Sequence, residues 1–330
     1  MSHELEIIDG KAMMAYTGEA PWHKLGTKVP NDLTPAQMGK AAGVDWKVEM
    51  RPMSVPLNGK RAEASSGALI RLPNGKNIKE ESILTEVRNR SDWHPTQNSE
   101  ALEFFHEFVM KGKMDMECVG SLFDGQIIWA LAKVKDSFTI AGKKDRVDSY
   151  LLFSNPHRYG MSRNIRFTPI RVVCNNTLTW SLDEKSKNAV SSNHRRAFNA
   201  DEVKEKLGLA HTKMEGYKER AEFLASKKYN KTNIVEYFKE LFPMGEKKKD
   251  AKRERKTDLH IGARTCMALL DTQPGADFAP GSWWNAFNAA TFYVDHVYGK
   301  SEVTRLQNSW FGGGENKKND ALTKALEYAS

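Results

Sequence analysis

From residue 44 the chain alternates, with Val44, Trp46, Val48 and Met50 apolar and Asp45, Lys47, Glu49 and Arg51 polar, the period of a strand with one buried face. Residues 68–72 form a second apolar run that leads into Pro73-Asn74-Gly75-Lys76. Asn-Gly accepts the positive φ of a tight turn, so a hairpin with a return strand over 77–83 is predicted. Residues 114–123 and 126–134, the latter containing Ile127, Ile128, Trp129 and Leu131, flank Asp124-Gly125 and predict another hairpin. Strands over 147–154 and 162–174 follow, joined through the turn-forming stretch Asn155-Pro156-His157-Arg158-Tyr159-Gly160.

Helical spacing interrupts and then succeeds these strands. Thr34-Pro35-Ala36-Gln37 supplies a capping hydroxyl, a proline at the first helical position and a capping-box Gln, and Gly43 ends that helix. Leu102, Phe105, Phe108 and Val109 make one stripe, with Ser99 as the expected cap, Glu100 at the positive end and Gly112 beyond the last turn. Past Leu182 the pattern turns helical. Asn199 and Glu202, with Phe198 poised to staple Val203, start a helix to about 224, and further helices are predicted over 232–242, 259–270, 283–298 and 320–328. The expected fold is α+β, an antiparallel sheet of hairpins packed by helices (1–182), followed by a mostly helical C-terminal region (183–330). A basic linker near 245–257, with seven basic residues over 245–256, falls within the second part.

With 330 residues, 40% of them hydrophobic, the chain can bury an ordinary core. Fifty basic against 42 acidic residues leave a formal charge of +8, which favours an acidic partner without making the chain a polycation. The three cysteines, Cys118, Cys174 and Cys266, are far apart and odd in number, which points away from a disulfide framework and toward the cytoplasm. No apolar leader follows Met1-Ser2-His3-Glu4, and no run is long enough to span a membrane, so neither secretion by that route nor a membrane partner is expected.

Several stretches carry candidate chemistry. Cys174-Asn175-Asn176 ends a strand, and a helix starting at Thr177 would lower the thiol's pKa. No base stands at a recognisable spacing, with His157 and His194 the nearest histidines, and a packed thiol with an Asn cap accounts for the same residues. No Cys-x-x-Cys or His-x-x-x-His pair occurs, and Asp115 and Glu117 read as the polar face of a strand, so no metal is expected. Gly312-Gly313-Gly314 lacks the Lys-Ser/Thr of a phosphate loop and reads as a glycine turn, so no nucleotide cofactor is expected. Trp283-Trp284 reads as helix core. The segment from His157 to Arg171 differs. It holds Arg158, Arg163, Arg166 and Arg171 and not one acid, and Lys133, Lys135, Lys143, Lys144 and Arg146 precede it. These cations can track a phosphate backbone, with Tyr159 and Phe167 available to stack on bases. An exposed face paired to the acids of neighbouring helices is the competing account.

Pro21-Trp22-His23-Lys24-Leu25-Gly26, Gly43-Val44-Asp45-Trp46-Lys47-Val48-Glu49 and Gly120-Ser121-Leu122 resemble one family, as do Trp129-Ala130-Leu131-Ala132 and Arg166-Phe167-Thr168-Pro169-Ile170-Arg171-Val172-Val173-Cys174-Asn175-Asn176-Thr177-Leu178. Trp284-Asn285-Ala286-Phe287-Asn288-Ala289-Ala290-Thr291 and Tyr293-Val294-Asp295-His296 extend the match over nearly the whole chain. The family is that of the phage/plasmid-like proteins, a domain of unknown function numbered 932. The resemblance implies a mobile-element setting and the cytoplasm of a bacterial host. The layout, hairpins packed by a helix with a basic strand surface and no ATP motif, is also similar to single-strand annealing proteins of the Rad52 and phage recombinase type, which implies a ring or filament of subunits on single-stranded DNA.

The leading expectation is therefore a non-enzymatic single-stranded DNA-binding protein that anneals strands without ATP during phage or plasmid recombination. Two alternatives stand beside it. One is a phage interaction protein that binds or inhibits a host protein through the basic face. The other is a hydrolase that depends on Cys174.

Overall fold

The computed structural model describes residues 5–18, 25–142, 144–171, 176–177, 189–244, 258–299 and 313–330. The fold is α+β, with antiparallel sheets and a helical C-terminal region. The chain divides into two compact units, each discontinuous in sequence. Unit 1 comprises Met1–Lys135, Tyr150–Phe167 and Ala189–Leu209, and unit 2 comprises Asp136–Ser149, Thr168–Asn188 and Ala210–Ser330.

Unit 1 begins with a small ladder, β1 (Ile7–Ile8) on β2 (Lys11–Ala12). Strand β3 (Met14–Tyr16) runs parallel to β4 (Thr27–Lys28) and antiparallel to β8 (Met114–Leu122). Strand β9 (Ile127–Ile140) returns along β8, with Leu122 opposite Ile127 across the expected turn at Asp124-Gly125. The sheet continues through β10 (Asp145–Pro156) to β11 (Arg163–Arg171), which pairs at its start with β13 (Ala189–Ser192). Helix α1 (Pro35–Ala42) has both halves of the predicted capping box. Thr34 N–H donates to Gln37 Oε1 at 2.9 Å, and Gln37 N–H donates to Thr34 Oγ1 at 3.3 Å. Gly43 closes it at φ 76°, left-handed backbone that a side chain resists. Helix α2 (Asn98–Met110) lays Leu102, Phe104 and Phe105 into the core. There Phe104 meets Phe105, Phe108, Phe153 and Phe198 at centroid distances of 5.5, 5.7, 5.4 and 6.2 Å. Each such side chain taken from water contributes roughly 1.5–3 kcal/mol.

A second sheet, ordered β5-β6-β7, consists of β5 (Val48–Leu57), β6 (Lys60–Arg71) and β7 (Ser82–Val87). Its tight turn is Asn58-Gly59, with φ of 50° and 74° and Leu57 opposite Lys60, instead of the predicted Asn74-Gly75. Asn74 makes a side-chain turn. Its Oδ1 accepts from the backbone N–H groups of Lys76, Asn77 and Ile78 at 3.0–3.1 Å, which carries the chain to a return strand that begins at Ser82 rather than 77.

Unit 2 contains the remaining helices, α3 (Ala200–Ser226, begun in unit 1), α4 (Lys231–Leu241), α5 (Ile261–Thr272), α6 (Trp283–Phe292) and α7 (Gly313–Ala329). Trp283 and Trp284 are almost fully buried, as expected of a helix core. Tyr237 and Tyr328 pack on Trp283 at 5.4 and 5.3 Å, and Trp284 Nε1 donates to buried Asp145 at 2.8 Å. Buried Lys318 and Asp295 pair at 2.8 Å.

Several local expectations are corrected. Gln97, not Ser99, caps α2, because its backbone N–H and the Glu100 carboxylate form the box at 2.9 Å. Asn176 and Thr177 form a short strand, β12, opposite Arg171 and Ile170, so the helix expected to start there is absent from those two residues. Residues 189–192 add a strand, β13, ahead of the first helix of the region expected to be mostly helical. Helix α6 ends at Phe292 in a π turn (Tyr293–Val297), and Gly313 and Gly314 belong to the first turn of α7. Trp22-His23, Lys143, Cys174, Asn175, Gly312 and the 245–257 linker lie outside the described residues.

Candidate nucleic-acid interface

The cations expected to form one surface are distributed between the two units. Lys133, Lys135, Arg158, Arg163 and Arg166 belong to unit 1, with Tyr159 and Phe167, whereas Lys144, Arg146 and Arg171 belong to unit 2. Lys133 is half-buried over the Tyr150 ring at 5.9 Å, and Lys135 faces Asp115 at 3.5 Å. In unit 2, Arg146 is paired with Asp148 at 2.8 Å and Lys144 is exposed. Arg171 contributes its backbone to β11, and its side chain lies outside the described set.

Arg163 is a correction. It is fully buried, and its guanidinium is spent inside the protein. Nη1 donates to Thr96 Oγ1 at 2.6 Å, Nε to the Ser192 carbonyl at 3.3 Å, and Nη2 to the carbonyls of Asn193 and of Arg196, the latter at 2.9 Å. The group also lies 5.5 Å from the centroid of Phe198. Burial pulls its pKa down to about 10. A guanidinium held this way positions a chain segment and has no face left for a phosphate. Phe167 is likewise 8% exposed, core rather than stacking platform. Arg166 is half-buried, with Nε on Asn164 Oδ1 at 2.9 Å.

What Arg163 positions is the segment 193–196, which two histidines also anchor. His94 N–H donates to the His194 carbonyl at 2.6 Å, and His194 Nδ1 donates back to the His94 carbonyl at 3.0 Å. The His194 ring packs on Trp93 at 4.7 Å, and Trp93 in turn meets Tyr159 edge-on at 6.2 Å. Tyr159 N–H is fixed by Thr85 Oγ1 at 3.2 Å. Three segments, 85–94, 157–160 and 193–196, are thereby tied together around Trp93. These segments carry Tyr159, 41% exposed, and the exposed arginines Arg88, Arg158, Arg195 and Arg196. None of these four arginines has an ion-pair partner among the described residues. The same segments also hold Glu86, Asp92 and Arg90, the last paired with Glu63 of β6, so the four unpaired arginines against two acids leave an excess of two positive charges.

Beneath this surface the two buried histidines are neutral at ordinary pH. His157 is buried, and its Nε2 donates to Asn98 Oδ1 at 2.7 Å. That direction is set by the Asn98 amide nitrogen, which donates to the carbonyls of Val44 and Trp46. Burial, helped by His194 and Arg71, pushes the His157 pKa down to about 3. Burial also lowers His194 to about 4 despite its carbonyl partner at His94. The positive field of the patch therefore comes from its arginines at any ordinary pH.

The sequence pattern points to Arg158 and Tyr159 and passes over Arg88, Arg195, Arg196 and the support under Tyr159. His194-Arg195-Arg196 is a basic triplet in a short polar stretch, which is the available signal. Its link to Tyr159, through Arg163, His94 and Trp93, depends on hydrogen bonds 33 to 100 positions apart in sequence and on the ring contacts of Trp93, which the pattern does not encode.

Among the described residues, no group of His, Cys, Asp and Glu is arranged to hold a metal ion, and no helix is long and apolar enough to cross a membrane. Cys118 and Cys266 are buried free thiols whose pKa values burial raises. With an α+β fold and a basic, aromatic surface described, the comparison with known proteins places the chain in a family. A model described as a domain of unknown function, DUF932, matches residues 86–323, and the chain belongs to that family. No curated protein and no solved structure matches it.

Proposed function

We propose that this protein binds single-stranded DNA through the Trp93-supported surface and acts as an ATP-independent annealing factor in phage or plasmid recombination. The observation that carries this reading is Tyr159, an exposed aromatic ring held edge-on by Trp93, on a group of tied segments that also carries four exposed arginines with no ion pair among the described residues. An exposed ring offers a stacking face to an unpaired base and has less to grip on a closed duplex, so the surface favours single strands. Arginines supply phosphate contacts without reading sequence, as an annealing protein requires, because it must hold any strand with its bases free to pair. The basic set is smaller than the sequence suggests, since Arg163 has a structural role, and it gains Arg88, Arg195 and Arg196.

The test is fluorescence anisotropy of a labelled oligonucleotide in single-stranded and duplex form over a salt series. Tyr159→Ala should weaken single-strand binding by about 1–3 kcal/mol, the stacking energy of one base. Unchanged affinity in Tyr159→Ala, or equal affinity for duplex, would overturn the assignment of this surface.

A further inference from the structure

The β5–β6 hairpin outruns its sheet. β7 pairs only with residues 67–71 of β6, so residues 52–66 project as a ribbon of two strands. Cross-strand partners share a face, Val55 with Ala62 and Leu57 with Lys60 on one side, Ser54 with Glu63 and Pro56 with Arg61 on the other. Met53, Val55 and Leu57 are 39%, 49% and 56% exposed. A two-stranded ribbon is marginal in water by itself, and clustered exposed apolar side chains mark a surface that meets a partner. Strand addition along β5 is obstructed. The two-residue turn makes Leu57 and Lys60 a hydrogen-bonded pair, which leaves Pro56 at a position whose missing N–H would face outward. The two faces of the ribbon, one of them carrying Val55 and Leu57, remain for a partner.

A receptor of matching character lies on the same unit. A cleft of about 770 Å³ opens between residues 94–95, α2 and the start of α3, with Pro95, Phe104 and Phe198 among its apolar lining and Glu100, Glu103 and Glu107 beside them. Glu107 is committed, held down to about 2 by Lys111 and Lys204. Glu103 is exposed with no ion pair among the described residues, and Glu100 accepts from the Gln97 N–H and lies in the field of buried Arg163. The ribbon tip brings Lys60 and Arg61, both exposed and likewise without ion pairs among the described residues. The ribbon tip offers two cations and an apolar face, and the cleft offers two carboxylates and an apolar floor.

We infer that the ribbon tip of one protomer seats in this cleft of a second copy, with the face of Val55, Leu57 and Lys60 against the Phe198 side and Arg61, on the opposite face, toward Glu100 and Glu103. Ribbon and cleft are different surfaces, so the contact is heterologous and repeats from copy to copy into a ring or filament. This deepens the annealing reading, which calls for many subunits along one strand. It rests on that reading for its purpose only, because the contact is measured without DNA.

The experiment is sedimentation velocity of the nucleic-acid-free protein over a concentration series. Wild type should assemble. Leu57→Asp and Glu103→Lys should each weaken assembly by about tenfold or more, as removal of a central interface anchor does. Both positions are exposed, and an unchanged far-ultraviolet circular dichroism spectrum certifies each fold. A mixture of the two variants should form a one-to-one dimer that cannot grow, since the first still offers its cleft and the second its ribbon. Arg61→Glu combined with Glu103→Lys in one chain should restore assembly, which decides the matter even if Leu57→Asp alters the ribbon. A wild type that stays monomeric, a Leu57→Asp protein that assembles like wild type, or a mixture that stays monomeric would each overturn the inference. Intact assembly with no DNA binding would instead remove the annealing reading and leave the contact standing.

Discussion

Replacing Arg163 by Met keeps the aliphatic volume and deletes every donor of the guanidinium. The carbonyls of Ser192, Asn193 and Arg196 and the hydroxyl of Thr96 are then left without their partner together, and the Phe198 ring without its cation. A buried acceptor left unsatisfied costs about 1–3 kcal/mol, but the 193–196 segment is exposed enough for water to replace part of what is removed. Taking roughly 1 kcal/mol for each of the four acceptors gives a destabilisation of about 3–5 kcal/mol, a large share of the ~5–15 kcal/mol that holds a typical domain folded. Arg163→Lys should recover only part of it, because a point charge on a flexible stem cannot serve four acceptors arranged around a planar fork. The assay is urea denaturation followed by circular dichroism, with the midpoint compared at constant slope. A phosphate ligand predicts the opposite pattern, an unchanged midpoint with weakened DNA binding. That result would refute the structural role given to Arg163 here.

Acid should destabilise unit 1 through its buried histidines. Both folded-state pKa values lie below the ordinary 6.5, at about 3 for His157 and about 4 for His194, so the unfolded chain takes up protons that the folded chain refuses. Their stabilising effect is full above pH 6.5 and falls as pH drops below it, by up to about 1.4 kcal/mol per pH unit for each histidine until the folded pKa is reached. His157→Gln should flatten the urea midpoint between pH 6.5 and 4, and an undiminished slope would contradict the assignment. At the end of α1, Gly43→Ala places a methyl at φ 76°, with Asn77 Nδ2 at 2.6 Å and Met13 Sδ at 2.7 Å, and should lower stability by more than ~1 kcal/mol. A thermal melt within a degree of wild type would count against it. On the interface, Arg195→Ala combined with Arg196→Ala should leave the melt unchanged and reduce the salt slope of single-strand binding by ~0.7 for each phosphate no longer engaged, read from the anisotropy titration.

The parts of the fold legible in the sequence are those whose cause is local. Thr34, Gln37 and Gly43 specify α1 within ten residues, and Asp124-Gly125 specifies the β8–β9 hairpin. The misread parts have local signals that tertiary contacts reassign. Asn74-Gly75 has hairpin chemistry, but the Asn74 side chain turns three backbone amides toward itself, and the two-residue turn falls at Asn58-Gly59. The candidate site divides the same way. Arg158 and Tyr159 are legible in a run of arginines without acids. Arg163 belongs to that run yet is buried, because β13 returns along β11 and brings the carbonyls of 192–196 over it. No spacing rule within 157–171 separates an arginine that reaches solvent from one that holds a distant strand end.

The most direct measurement is the salt-dependent affinity of the intact protein for a single-stranded oligonucleotide and for the matching duplex, compared between wild type and a variant carrying Arg158→Ala and Tyr159→Ala. The account predicts tighter binding to the single strand, with log affinity falling against log salt by about 0.7 for each phosphate engaged, or about 3 if all four arginines take part. In the variant, both the affinity and the slope should fall while the melting temperature stays put. No single-strand binding at low salt, or binding that the variant retains in full, would contradict it.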